Sequence, residues 1–297
     1  MHGAPCTVHE MATLPAEGRW SIKSLADDDV AAALAFLRRD ALINVYLISR
    51  LLEERSAAAT QIYAVRHNRD ITLLASLATN IVLASDPGAP SNVTETAVAL
   101  VADRILTRML PVRAIISPAT LVDMLWKHLH SRIDPPTVVR LSQPIYAIRR
   151  RFDFPDLTTA RYATLRDLDA LVPACAAMHK EEVGIDPLER DVAGYRDRVR
   201  ELIERKRSII RVIDGVIASK CEFSAVTAEV VQLMGVWTDP RFRRRGLAKE
   251  TLREVAGHLF RKGKAVTLFV NDFNTGAIAL YEGLGFQRIG VNRALIW

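Results

Sequence analysis

Read from either end of the chain, the order of expected elements constrains the fold more than any single motif. In the second half, residues 165–180 and 191–205 carry apolar positions at helical spacing. Strands are expected in "SIIRVID" and "VIASKCEFSAV" around Asp214-Gly215, a dipeptide that favours a tight hairpin, and again in "AEVVQLMGVW". Leu252, Val255, Ala256 and Leu259 recur at helical spacing, with Gly263 as the stop. "VTLFV", a continuous apolar run, reads as a buried parallel strand, followed by a short helix "AIALYEGLG" and a last strand "FQRIGVNRALIW". The first half gives helices at 27–38 and 42–54 and strands at "QIYAVRH", "ITLLASL" and "IVLAS". A helix from Thr94 to Leu110, the strand "VRAIIS", a helix over 119–130 and a strand from Thr137 to Ile148 complete it. The series αα-βββ-α-β-α-β thus occurs twice, as a repeat of pattern and not of residue identity. It predicts an α/β chain (a mixed sheet of the α+β type) of two tandem modules, 1–150 and 158–297, joined near residues 150–157.

Composition narrows the class. Of 297 residues, 49% are hydrophobic, enough for real cores, yet no apolar run reaches the length of a membrane span. The first twenty residues lack the apolar stretch of a secretory signal. Cys6, Cys175 and Cys221 are far apart and odd in number, which argues against a disulfide framework and fits a reducing cytoplasm. No membrane association is expected. The formal charge of +6 permits a polyanionic partner without requiring one.

Much of that charge is concentrated in "TDPRFRRRGLAKETL", Thr238 to Leu252. Four arginines lead into Gly246 where a helix is expected to start. The first N–H groups of a helix have no partners within it, and the macrodipole places partial positive charge there. Such a loop suits a phosphate. Neither a G-x-x-x-x-G-K-[ST] loop nor a G-x-G-x-x-G loop after a first strand occurs. A solvated or nucleic-acid-binding loop is the plainer alternative for the arginines.

The segment Arg243-Arg244-Arg245-Gly246-Leu247-Ala248 resembles the acyl-CoA loop of the GNAT superfamily of N-acetyltransferases, whose pattern is Gln or Arg, two residues, Gly, one residue, then Gly or Ala. About 20 residues on, "LFVNDFNTGAIALYEGLGF" is similar to the second signature of that family, with Asn271, Asn274, Ala277 and Tyr281 at the matching positions. The resemblance covers about residues 160–297; the first half carries neither signature.

The resemblance implies two GNAT-like modules, the first degenerate and without a CoA loop, with one CoA per chain. It implies acetyl-CoA or another acyl-CoA as co-substrate, no metal, and no nucleic acid. The acceptor is an amine, on a small molecule or on a protein or peptide, and the chain is a monomer or homodimer. Arg243, Arg244, Arg245, Gly246, Leu247, Ala248 and Lys249 would hold the diphosphate; Val236, Trp237 and Thr238 would pair with the arm of CoA; Asn271, Asn274 and Ala277 would lie near it. A backbone N–H near Val236 would meet the oxyanion and Tyr281 would act as general acid. Candidate bases are Glu229, Glu222 and Glu182, the last beside Glu181. A non-catalytic acyl-CoA sensor is the other reading. His128 with His130, and the thiol of Cys221, read as a surface pair and an inert buried group.

Overall fold

In a computed structural model, residues 18–53, 61–149 and 153–297 are described here. Cys6 and residues 150–152 of the expected junction lie outside them. The strands are β1 (Trp20–Ser24), β2 (Ile62–His67), β3 (Asp70–Leu77), β4 (Asn80–Ser85), β5 (Ala114–Pro118) and β6 (Val138–Ile148), then β7 (Ala160–Tyr162), β8 (Ser208–Ile213), β9 (Val216–Val226), β10 (Val230–Thr238), β11 (Ala265–Phe269) and β12 (Gln287–Ile296). The α-helices are α1 (Val30–Leu37), α2 (Val45–Glu53), α3 (Ser91–Arg108), α4 (Ala119–Leu129), α5 (Leu168–Val183), α6 (Val192–Glu204), α7 (Leu247–Arg261) and α8 (Thr275–Gly283). No helix among the described residues is long and apolar enough to cross a membrane.

β1 and β7 were not expected from the sequence. The first offers only Trp20 and Ile22 as an alternating apolar pair, and the second is three residues long. Each is an edge strand with one neighbour, so pairing rather than pattern defines it.

All twelve strands join one sheet, in the order β1-β2-β3-β4-β5-β12-β6-β11-β10-β9-β8-β7. Replacing each of β1–β6 by its counterpart six strands later gives the same order read backwards, so the two halves are related by an approximate twofold operation. Within each half the first four strands are antiparallel, and the fourth then meets the fifth in parallel.

The last strands are exchanged. β12 pairs with β5 of the first half, β6 pairs with β11 of the second, and β6 and β12 pair with each other at the centre. The halves therefore share backbone hydrogen bonds, which would be left unpaired if they separated.

Helices cover both faces of each half. In the second half α7 and α8 cover one core, built on Phe223, Val231, Leu252, Val255, Leu268 and Phe286. On the other face α5 and α6 cover Ile210, Ile217 and Trp237. The first half repeats the arrangement, with α3 and α4 on one face and α1 and α2 on the other. α2 also reaches the second half. Its Val45 packs with Ala225 and Val230, and its Ser49 hydroxyl accepts from the Val226 amide at 3.2 Å.

The chain re-enters the second half by crossing α7. The buried Glu254 carboxylate accepts from the amides of Thr158, Thr159 and Ala160 at 2.8–3.0 Å and pairs with Arg211 at 2.9 Å. Burial favours its neutral form, but the Thr158 and Ala160 amides outweigh this and hold its pKa at about 2. One turn on, Gly257 faces the same segment, and a Cβ there would lie 1.9 Å from the Pro155 carbonyl oxygen. Glycine in a helix is here a requirement of close approach. Gly257→Ala is expected to lower the unfolding free energy by about 1–3 kcal/mol in urea titrations, although alanine is the better helix former by about 1 kcal/mol; unchanged stability would refute the crossing geometry.

Candidate active site

β10 and β11 pair only over Val230–Gln232 with Ala265–Thr267. Beyond Gln232 they part, while β11 keeps its pairing with β6 on its other edge through Phe269. At the same place β10 shifts register against β9, between Met234 and Trp237. Gly235 sits in this bulge at φ +56°, and a Cβ on it would meet Met178 Sδ at 3.1 Å and Glu222 at 3.2 Å. Sterics and backbone both demand glycine. The parted edge carries Val236, half-buried Thr238 and the indole of Trp237, which is buried against α5.

The loop after β10 turns by two left-handed residues, Arg244 at φ +61° and Gly246 at φ +81°. Gly246 caps α7 with no side chain closing its first turn. The amides opening α7, at Leu247, Ala248 and Lys249, precede the first i to i−4 bond, from Glu250 to Gly246. They follow β10 at the end where it has left β11.

The arginines divide their work. Arg241 is tied to Asp239 at 2.7 Å, and Arg243 to both oxygens of Glu181 at 2.7 and 2.8 Å and to the Thr238 carbonyl at 2.9 Å. Arg245 lies over Phe242, 5.3 Å from the ring centroid. Arg244 is exposed and has no side-chain partner among the described residues. Arg243 thus fastens the loop to α5, where Glu181 also accepts from Trp237 Nε1 at 3.2 Å.

At the other wall of the gap, Asn271 accepts from Gln143 Nε2 at 2.8 Å, and Asn274 caps α8 by accepting from the Ala277 amide at 3.1 Å. The Asn274 side chain is therefore committed to the helix start, while Ala277 stands half-buried in the first turn. Tyr281 is buried beside Phe286 and Tyr146, with ring centroids 5.8 and 6.4 Å away. Burial, and then the charge of Glu182, push its pKa well above the ordinary 10.

The three candidate bases separate. Glu229 lies at the paired end of β10, roughly 20 Å along the strand from Val236, where it pairs with Arg38 at 3.5 Å; the structure does not bring it to the gap. Glu222 is buried beneath Gly235. Burial would raise its pKa, but Lys220, 2.6 Å away, lowers it, so it is held ionised with its charge already matched. Glu182 is at the exposed end of α5, on the rim, yet the protein around its carboxyl desolvates it and raises its pKa, against the pull of Lys220 and Arg140. Burial pushes both the Cys175 and Cys221 thiols up to about 12, so neither supplies a thiolate near neutral pH. Among the described residues no group of three or more His, Cys, Asp and Glu could hold a metal ion.

Sequence reasoning missed two features. One is Lys220, legible only as a lysine two residues from Glu222 on the same face of an apolar strand. The other is the contribution of β6: Gln143 to Asn271, the Tyr146 ring to Tyr281, and Arg140 Nη2 to the Glu182 carbonyl at 2.9 Å. In the first half β4 and β5 also part early, and a cavity lined by Ala84, Ser85, Pro87 and Pro118 lies at their ends. β4 and β5 pair at Asn80–Ile81, and the Leu83 amide then donates to Ser117 Oγ at 2.8 Å. Ser85-Asp86-Pro87 ends β4 as Thr238-Asp239-Pro240 ends β10, but Gly88-Ala89-Pro90 follows in place of the basic loop.

Comparison with known proteins agrees with this geometry. The profile of the Acetyltransferase (GNAT) family matches residues 175–286, and that of a domain of unknown function (DUF4081) matches residues 60–171. The N-alpha-acetyltransferase RimI of Mycobacterium tuberculosis is 41% identical over 63 residues, covering 21% of this chain and 37% of that protein, so the chain spans little more than a third of that relative's length. A GCN5-related N-acetyltransferase from Sphaerobacter thermophilus superposes with a TM-score of 0.58 at 17% identity, covering 96% of this chain and 97% of that one. A tandem GNAT protein from the clavulanic acid biosynthesis pathway gives 0.55 at 14% identity, covering 94% and 98%. Through the loop, the parted strands and the matched segment 175–286, the second half of the chain carries a domain of the Acetyltransferase (GNAT) family.

Proposed function

We propose that this protein is an acyl-CoA-dependent N-acetyltransferase that moves an acetyl group from acetyl-CoA directly to an amine. The observation that carries the reading is the coincidence of the open β10–β11 gap with an uncapped helix start at its mouth. The amides of Leu247, Ala248 and Lys249, with Gly246 left-handed before them, suit a diphosphate, and Arg244 and Arg245 add charge. The exposed edge of β10 at Val236–Thr238 suits an extended amide-bearing arm. We read the chain as a degenerate module over residues 1–150 and a catalytic module over 158–297. In support, the first half has no basic loop, and β6 brings Gln143 to Asn271 of the second.

In this reading the Val236 N–H faces the oxyanion that forms as the amine attacks the thioester carbon. The C–N bond forms, the C–S bond breaks, and the amine proton passes to a base. Glu182 is the base best placed, because its raised pKa brings it toward neutrality and it lies within electrostatic reach of Tyr281. Tyr281 keeps its proton. Full transfer from a phenol of raised pKa to a thiolate of conjugate-acid pKa near 8.5 is uphill, so Tyr281 serves the departing sulfur as a hydrogen-bond donor. The Mycobacterium tuberculosis relative is named for transfer to α-amines, so peptides with free N-termini head the acceptor panel, ahead of lysine side chains and small amines.

Calorimetry is expected to give one CoA per chain, and Gly246→Glu to weaken it by about a hundredfold, since a side chain at φ +81° is strained and its carboxylate opposes the diphosphate. Two CoA per chain, or a variant that binds like the parent, would refute the site. Thiol release from acetyl-CoA, measured over the amine panel, should fall by about 10–100-fold in Tyr281→Phe; tight CoA binding with no release for any amine would identify a CoA-binding module instead. With the best amine, kcat/KM should decline as pH drops through a value above the ordinary carboxylate 4.5, because Glu182 with a raised pKa gains its proton there. Glu182→Gln should abolish that limb of the profile, and an unchanged profile would remove Glu182 as the base.

A further inference from the structure

Beneath the gap lies a buried ion pair that the reaction scheme above leaves without a task. Lys220 has no accessible surface, although lysine is almost never fully buried unless paired. It stands two residues before Glu222 on β9, so both side chains point toward α5. Its ammonium donates to Glu222 Oε1 at 2.6 Å and to the Gly235 carbonyl oxygen at 3.1 Å, and touches Met178 Sδ at 3.4 Å. Cys175 Sγ donates to the same Glu222 oxygen at 3.2 Å. Burial alone would deprotonate Lys220, but the Glu222 carboxylate holds it charged.

The carbonyl that Lys220 grips belongs to the same peptide unit as the Val236 N–H. The peptide is trans and planar, so its C=O and N–H point in opposite directions. The carbonyl is turned to the Lys220 ammonium on the α5 side, so the Val236 N–H points away from it, and β11, which pairs with β10 only as far as Gln232, does not take it. A charge-assisted bond to a carbonyl also polarises its peptide and strengthens the N–H as a donor.

We infer that Lys220 is a positioning residue for acyl transfer: held by Glu222, its ammonium fixes and polarises the Gly235–Val236 peptide so that the Val236 N–H is aimed at the oxyanion. No proton or covalent bond changes at Lys220 itself. The inference rests on the acetyltransferase reading above and deepens it.

The double variant Lys220→Met/Glu222→Gln tests it, because it removes both charges with little change of volume and leaves no lone charge buried. With acetyl-CoA and the amine that the wild type uses best, kcat is expected to fall about tenfold, less than the loss from deleting an oxyanion donor. KM for acetyl-CoA and the calorimetric Kd for CoA should stay within about twofold. The Val236 amide nitrogen resonance should move upfield as the bond to Gly235 is lost. A pair that merely seals the core would instead move KM and Kd together with kcat; that outcome, or an unchanged kcat, overturns the inference. If the double variant does not fold, Lys220→Gln, which keeps an uncharged donor, takes its place with the same readings. A wild type that releases no thiol with any amine overturns the acetyltransferase reading and this inference with it. An active wild type matched by an equally active double variant overturns this inference alone.

Discussion

The parting of β10 from β11 is the constraint on which the rest of the second half depends. Two parallel strands that separate inside a sheet leave backbone donors and acceptors without partners, and such groups must be paired or kept open to solvent or ligand. The chain meets this on each side differently. β11 keeps its ladder with β6 on its other edge, from Val266 to Phe269. β10 keeps β9 by means of a bulge at Gly235, and its outer edge from Val236 to Thr238 stays open. A small molecule with amides of its own can then act as the missing strand.

The shape of that opening is held from three directions. Arg243 and Trp237 converge on Glu181, which locks the loop and the strand end to α5. Lys220 and Glu222 lie under the bulge with their charges matched, so the strand is supported from below without an unpaired charge. β6 brings Arg140, Gln143 and Tyr146 to the far wall, although it belongs by sequence to the first half. The exchange of last strands places a strand of the first half beside β11 of the second. The order of strands leaves no seam at which the halves could part without losing ladder bonds.

The first half repeats the same plan without the basic loop. Its strand end keeps the Asp-Pro step, Asp86-Pro87, but Pro90 precedes the helix in place of a left-handed glycine, and the Ser117 hydroxyl takes the Leu83 amide.

By itself the sequence determined what depends on local pattern. The order of helices and strands, the twofold repeat, the glycine before a helix and the second signature at Asn271–Tyr281 all lie within short windows where spacing and residue type carry the physics. It did not determine what depends on partners distant in the chain. The edge strands β1 and β7 are too short for a pattern and exist because a neighbour pairs with them. Their positions in the motifs make Arg243 and Asn274 ligand-facing, but Glu181 and the α8 start claim their side chains. Glu222, Glu229 and Glu182 are alike as letters. Only the fold set one on a buried lysine, one at the closed end of the strand and one at the rim, because a carboxylate's chemistry is decided by the dielectric and the charges that tertiary contacts place around it.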